Sequence, residues 1–579
     1  MTGARISFGV FDETAAQTAV FSSSRGQPWV DYSSLTDGIY PDEDPSNPTL
    51  RQFVTGEPDM VRLDGTYRLF PDAPGASLGF WSSSLSGDDG AFSTVVVLSC
   101  VFDGTGHSSV GVTIHFGSGS VFKDFVVDWQ NSVGGVVSTK QVQGNTKSTV
   151  YLSNNVDQYY GLRITCQATD APCRYARIQE VEFGEKVIYD QASLVSASVV
   201  EEVDLSGASV PAGSLQFTAL DPGGRLNPVN PDGIYNYLRK GIPINVEFLV
   251  GNAYYPGGVY YMDTWEGDNT GTAKFKAIDI IGFRSASKYA SAFHGSTSPV
   301  GASVIFADIY QTCGLSGSVD TSVGSGTYIG YVPETDMQQA LAHACLACGG
   351  YAKATRDGRV NILPPPVNKS PLSLDQMDIL GEPDVFRTNQ LTQIEVEEYE
   401  YVVSSEENLH EINWFGLGPE AENFRYTFDG VHCDYSVSID MDIGYGPWED
   451  WSLRSGYNFV DFYAKSLNDQ LLMYIEVRAK TVTESKVVRR IDGGTISDGI
   501  VSVKGIPLIT KEKTSSVVSR MKEHYAKRLT VKAHIVWRQG LECGACVSVP
   551  TRFGVVTGHI TRMDIDLTGG LLATVEVLA

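Results

Sequence analysis

Apolar and polar residues alternate with a period of two along much of this chain. Val110, Val112, Ile114 and Phe116 are separated by Gly111, Thr113 and His115; Phe125, Val127 and Trp129 by Val126 and Asp128; Leu162, Ile164 and Cys166 by Arg163 and Thr165. Successive side chains of a strand point to opposite faces, so each run predicts a strand with one face in a core. Several such strands between turns predict an antiparallel sandwich over 56–190. A second β segment is expected over 191–290. There Leu215, Phe217 and Ala219 alternate before the turn Asp221-Pro222-Gly223-Gly224, and strands follow around 244–249, 258–265 and 273–278.

The period changes over 291–370. Ile305, Ile309 and Cys313 stand four apart, as on one helix face. Thr335 with Gln338 reads as a capping box, Thr335 being the N-cap. The helix it opens buries Met337, Leu341, Ala344, Cys345 and Cys348, leaves His343 off that stripe, and stops at Gly349-Gly350. Asp357-Gly358 predicts a two-residue hairpin turn, and Pro364-Pro365-Pro366 a stiff linker. From 371 to 579 the pattern returns to β, as in Met563, Ile565 and Leu567 against Asp564 and Asp566, with one helix near 515–529. An aromatic-rich insertion at about 440–500 has no clear period. Residues 1–55 are polar and turn-rich, and read as an N-terminal arm.

Composition agrees with a mainly β chain. Glycine (59), tyrosine (28) and phenylalanine (25) are abundant among 579 residues, enough for roughly three to five domains. Acidic residues outnumber basic ones 68 to 43, a net charge of −25, which argues against a nucleic-acid-binding role. Apolar runs are too short for a membrane helix. Met1-Thr2-Gly3-Ala4-Arg5 leads into polar sequence without a hydrophobic signal region, so folding in a cytoplasm is expected. Nine scattered cysteines do not form a disulfide framework.

Candidate chemistry is sparse. Cys345/Cys348 and Cys543/Cys546 have zinc-site spacing, but the first pair falls on a buried helical stripe and the pairs lie far apart; core packing is the reading, with no metal and no cofactor expected. No nucleophile elbow, zinc-protease, P-loop or dinucleotide motif occurs. Glu395-Val396-Glu397-Glu398 reads as a solvated strand face. Trp81, Asp64, Tyr67, Arg68, Tyr159 and Tyr160 are candidates for carbohydrate binding, since a sugar ring stacks on an aromatic face while polar neighbours fix its hydroxyls. The competing reading places these rings in the core or an interface.

Four stretches, taken in order, resemble bacteriophage baseplate or tail-tip hub proteins. Leu63-Asp64-Gly65-Thr66, the run from Gly79 to Ser86 and that from Ala171 to Gly184 are similar to a galactose-binding-like jelly roll. Val203-Asp204-Leu205-Ser206, Gly224-Arg225-Leu226-Asn227-Pro228 and Pro256-Gly257-Gly258-Val259-Tyr260 resemble the first tube-like hub domain. Ala347-Cys348-Gly349-Gly350 with Arg356-Asp357-Gly358-Arg359 resembles the hub's small α/β domain, and the run from Leu541 to Val549 its C-terminal barrel. Ala545 stands where that last pattern usually has aspartate.

The resemblance implies a mainly β multidomain fold: an N-terminal jelly-roll sandwich, two tube-like β-barrel hub domains, and one small α/β domain between them. It implies a structural virion protein rather than an enzyme. Three copies would form a ring that continues the tail tube, contacts tube or distal-tail protein on one side and tip or fibre proteins on the other, and lets DNA pass through an acidic bore. The jelly roll would touch host-surface glycan. The rival readings are a virion-associated polysaccharide hydrolase with an accessory carbohydrate-binding domain, and a receptor-binding adhesin.

Overall fold

A computed structural model describes residues 2–28, 30, 32–36, 55–58, 79–117, 119–230, 233–267, 271–324, 326–375, 377–388, 391–417, 422–441, 448–466, 471–492 and 499–579. The protein is mainly β and multidomain, with 54% strand and 12% helix among the described residues. Five helices occur among these residues: α1 (Glu13–Thr18), α2 (Ile280–Arg284), α3 (Ala302–Cys313), α4 (Met337–Cys348) and α5 (Lys511–Ala526).

Thirteen strands make one continuous sheet. Its path runs Gly184–Tyr189, Thr2–Phe11, Pro243–Val250, Ala253–Gly267, Thr272–Ile278, Ser214–Leu220, Leu194–Glu202, Gly554–Asp566, Leu572–Leu578, Leu529–Val536, Asp384–Arg387. Cys546–Thr551 pairs with Gly554–Asp566 beside this path and carries Leu372–Ser373 in parallel. The alternation read from the sequence is what builds it: Leu215, Phe217 and Ala219 are all buried, and Phe217 stacks on its cross-strand partner Phe275 at 4.5 Å. The segments before and after the α/β unit meet at an antiparallel seam, Val199 opposite Ile565, and share one hydrophobic core.

The expected arm over 1–55 is corrected at its start. Thr2–Phe11 is an internal strand of the large sheet, paired on one side with Gly184–Tyr189 and on the other with Pro243–Val250. Ala4, Ile6, Phe8 and Val10 form its buried face, a period-two signal masked by the polar stretch behind it. Phe11 and Gly184 are register partners, so everything between them is an insertion into one antiparallel connection. At Gly184 φ is +150°, and a Cβ would collide with the Val10 carbonyl. Residues 37–54 of that polar, turn-rich stretch lie outside the described residues.

That insertion is the sandwich. One sheet has the order Phe80–Leu85, Tyr175–Glu182, His107–Phe116, Thr149–Tyr159; the other Val20–Ser22, Ala91–Val101, Gly161–Thr169, Phe122–Gln130, Val136–Val142. Phe80, Ile114, Phe125, Trp129 and Ile178 fill the space between them. The sandwich therefore recruits residues well before 56, including Val20–Ser22, which pairs with Ala91–Val101.

In the α/β unit, α4 begins one residue later than the capping-box reading placed it. Asp336 is the N-cap, its carboxylate accepting the Gln339 N–H at 2.8 Å, while the Thr335 hydroxyl donates to the Gln339 side chain. Every residue from Ala340 to Cys348 is buried, His343 included, because α3, α5 and the hairpin Tyr351–Ala354/Val360–Leu363 surround the helix. The hairpin loop holds three residues, Arg356-Asp357-Gly358, with Gly358 at φ +78°. The helix expected near 515–529 is α5, starting at Lys511.

The insertion expected at about 440–500 is part of a larger element. Gln393–Leu417 and Leu471–Asp492 form a long antiparallel ribbon, from Gln393 opposite Asp492 to Leu417 opposite Leu471. Val431–Met441 joins its side, and a three-stranded sheet of Glu422–Thr427, Phe459–Ser466 and Trp448–Ser455 packs on it through Val460 and Phe462. The ribbon's root is buried with α4 and α5 through Ile394, Val396, Val503 and Val517. Among the described residues no helix is long and apolar enough to cross a membrane.

Candidate functional site

Of the six candidate sugar-binding residues, the three that are described, Trp81, Tyr159 and Tyr160, do not converge. Asp64, Tyr67 and Arg68 lie outside the described residues. Trp81 is 7% exposed: the Arg177 guanidinium covers its ring at 3.6 Å and Tyr175 lies beside it. Arg177 is buried too, and pairs with Glu57. Tyr159 is also in the core, edge-on to Phe102. Tyr160 is half-buried, its hydroxyl turned toward Gln158. Trp81 lies at the Phe116 end of the strand His107–Phe116 and Tyr159 at the His107 end, so roughly 30 Å of strand separates them.

The polar groups that do converge sit where the seam meets the α/β unit. Glu201 ends one seam strand, and Arg356 projects from the hairpin loop to meet it. Nε donates to Oε1 at 2.7 Å and Nη2 to Oε2 at 3.2 Å, a bidentate pair. Nη2 also donates to the Leu541 carbonyl at 3.0 Å, and the guanidinium lies over Phe248 and Trp537. Burial works to lower the Arg356 pKa, and the Glu201 carboxylate more than reverses it. Lys353 pairs with Glu542 at 2.9 Å, and Arg562 with Glu202 at 2.7 Å across the seam. The space they enclose holds about 30 Å³, room for a water molecule and not for a substrate. Its walls include Gly258, Val259, Tyr260, Arg356 and Cys543, drawn from three of the recognised stretches. Sequence reading flagged those stretches one by one; partners 155 and 185 residues apart gave no sign that they meet.

Asp279 closes this cluster. It caps α2 by accepting the Gly282 N–H at 2.9 Å, and accepts the Gly213 N–H at 2.6 Å. Burial nevertheless raises its carboxyl from 3.8 to about 6. A raised carboxyl favours folding while protonated, so its contribution is full below pH 3.8 and lost as pH rises through about 6. Burial lowers His294, His343, His432, His524 and His559, whose contributions run the other way and are lost on acidification below their usual 6.5. Asp279 thus works against the histidines on acidification, so between pH 7 and 5 the melting midpoint of Asp279→Asn is expected to fall relative to that of the unmodified protein. Melts in which the two midpoints keep a constant separation over that window count against the raised carboxyl.

Other reactive-looking groups are structural. Asp12, His107 and Thr18 align at 3.0 and 3.5 Å, but the Thr18 hydroxyl donates to the Thr14 carbonyl and His107 is buried under Phe102. This tie fastens α1 to the sandwich. Cys345, Cys348 and Cys543 are buried, and burial pushes the Cys348 thiol up to about 12, away from a reactive thiolate. Among the described residues no group of three or more His, Cys, Asp or Glu could hold a metal ion. The acidic run at 395–398 is not a solvated face. Glu398 is buried, paired with Arg489 and accepting the Thr514 hydroxyl at 3.1 Å, while Glu395 pairs with Lys504 and Arg490.

No protein-family model matches the chain, and no curated protein sequence matches it. Its structural neighbours include phage tail proteins. The 43 kDa tail protein of prophage MuSo2 from Shewanella oneidensis shares 11% identity at a TM-score of 0.37, over 68% of this chain and 95% of that one. The tail protein from Neisseria meningitidis MC58 shares 9% at 0.38, over 68% and 94%. The family 32 carbohydrate-binding module of NanJ from C. perfringens, solved with galactose, shares 14% at 0.19, over 31% and 99%. These are distant likenesses.

Proposed function

We propose that this chain is a structural, non-catalytic protein of a bacteriophage tail tip: a baseplate hub that assembles as a homotrimeric ring, continues the tail tube and lets DNA pass. The observation that carries the reading is how the large sheet is built. Its two β halves join edge to edge at the seam, and its far end is Asp384–Arg387, an edge that is unpaired among the described residues and where all four residues are exposed. Val385 and Phe386 are 47% and 55% exposed there, a liability that proteins ordinarily cover or pair. A second copy laid along this edge repeats between chains the pairing that the seam makes within one, and a closed set of such contacts is a ring. Three copies are what the resemblance of the recognised stretches to hub proteins implies. The excess of acidic residues suits a bore that repels DNA.

The opposite end of the sheet, Gly184–Tyr189, lies against the sandwich, where the Thr113 hydroxyl donates to the Gly184 carbonyl at 2.8 Å. The sandwich then decorates the ring and contacts tip proteins or host-surface glycan; of the described candidate rings, Tyr160 is the one that is not buried. Mass measurement of the purified chain, alone and with tail-tube protein, tests the assembly. The expected result is a trimer, with Phe386→Asp shifting it to monomer without changing the fold. A wild-type chain that stays monomeric and never joins a tube overturns the proposal.

A further inference from the structure

Helix α5 carries Arg520 and His524, and Lys527 is its C-cap; intervals of four and three residues bring the three to one side of the helix. With Gly349 and Pro365–Pro366 they wall a recess of about 150 Å³, the volume of about five water molecules. Arg520 enters deepest. Its guanidinium donates to the Leu346 carbonyl at the end of α4 and fills the place that a Cβ on Gly349 would occupy.

Among the described residues no carboxylate lies within ion-pair distance of these three basic side chains. Two acids act on the cluster from further off. The oxygens of Asp204 are taken by Ser206 and Ser209, and Glu523 is exposed at the rim. Burial lowers the pKa of Arg520, His524 and Lys527 alike, and Lys527 further lowers His524. On the far side His559 is buried against the Val367 carbonyl, with Lys527 opposing its charge as well. Desolvated cations without a counter-charge are costly, and an entering anion removes that cost.

We propose that this recess binds a small oxyanion, a phosphate group or a carboxylate, through Arg520, His524 and Lys527. The site stands apart from the tail-tip reading and survives its failure. Phosphate would come free from solution; a carboxylate would come from a second copy of this acidic chain.

The test uses the full chain and inorganic phosphate, titrated against chloride at constant ionic strength. A free-anion site gives a saturable rise of about 2–4 °C in the melting midpoint, abolished in Lys527→Gln and in His524→Gln. A carboxylate from a second copy appears instead as self-association in sedimentation that weakens at least tenfold in both variants. In phosphate-free chloride Lys527→Gln is at least as stable as the parent, because an uncompensated charge has gone; a purely structural lysine would give the opposite. The proposal is overturned when phosphate and chloride act alike and self-association is the same in parent and variants.

Discussion

Arg356→Met lowers the unfolding free energy by about 3–5 kcal/mol, the cost of leaving a buried carboxylate without its partner. Both side chains of the pair are mostly buried, Arg356 at 17% and Glu201 at 15% exposure, so solvent screens little of the effect. The loss is focused where three segments meet. Glu201 belongs to the seam, Arg356 to the α/β hairpin, and the Leu541 carbonyl to the second β half. Arg356→Met/Glu201→Met recovers most of the stability, since two apolar side chains there leave no orphaned charge. Urea unfolding followed by tryptophan fluorescence checks both variants. A single-variant loss below about 1 kcal/mol, the range of surface pairs, means that the junction opens to water and does not lock the halves together.

Trp81→Ala costs about 3–5 kcal/mol, as expected for emptying an aromatic-sized space in a core. The ring supports the Arg177 guanidinium, which is held in turn by buried Glu57, so the substitution also loosens residues 55–58. An exposed sugar platform behaves differently: its removal abolishes saccharide binding and leaves the melting midpoint where it was. Thermal melts beside a saccharide titration separate the two.

These two sites mark what the sequence could and could not convey. Strands such as Ser214–Leu220 and Gly161–Thr169 were legible because burial favours one face, and that writes itself into a period of two. Thr2–Phe11 carries the same signal, but one strand followed by a polar stretch resembles a tail until its partners, Pro243–Val250 and Gly184–Tyr189, are known. An aromatic residue is equally at home inside or outside, and only the packing of Arg177 decides that Trp81 is inside. The acids of the ribbon read as solvated because their cations, Arg489 and Lys504, come from strands about 90 and 110 residues away. Long-range pairing of this kind has no local signature.

The placement of the sandwich between Phe11 and Gly184 has a consequence for how such a chain can vary. Its entry and exit are adjacent positions of one hydrogen-bonded ladder, a socket of about 5 Å between Cα atoms. Any domain whose termini lie side by side can be exchanged there without shifting the register of the large sheet. Trimming from the front is a different operation, because it strips out an interior strand and bares two others. The scaffold can therefore change what it displays while its own architecture stays fixed.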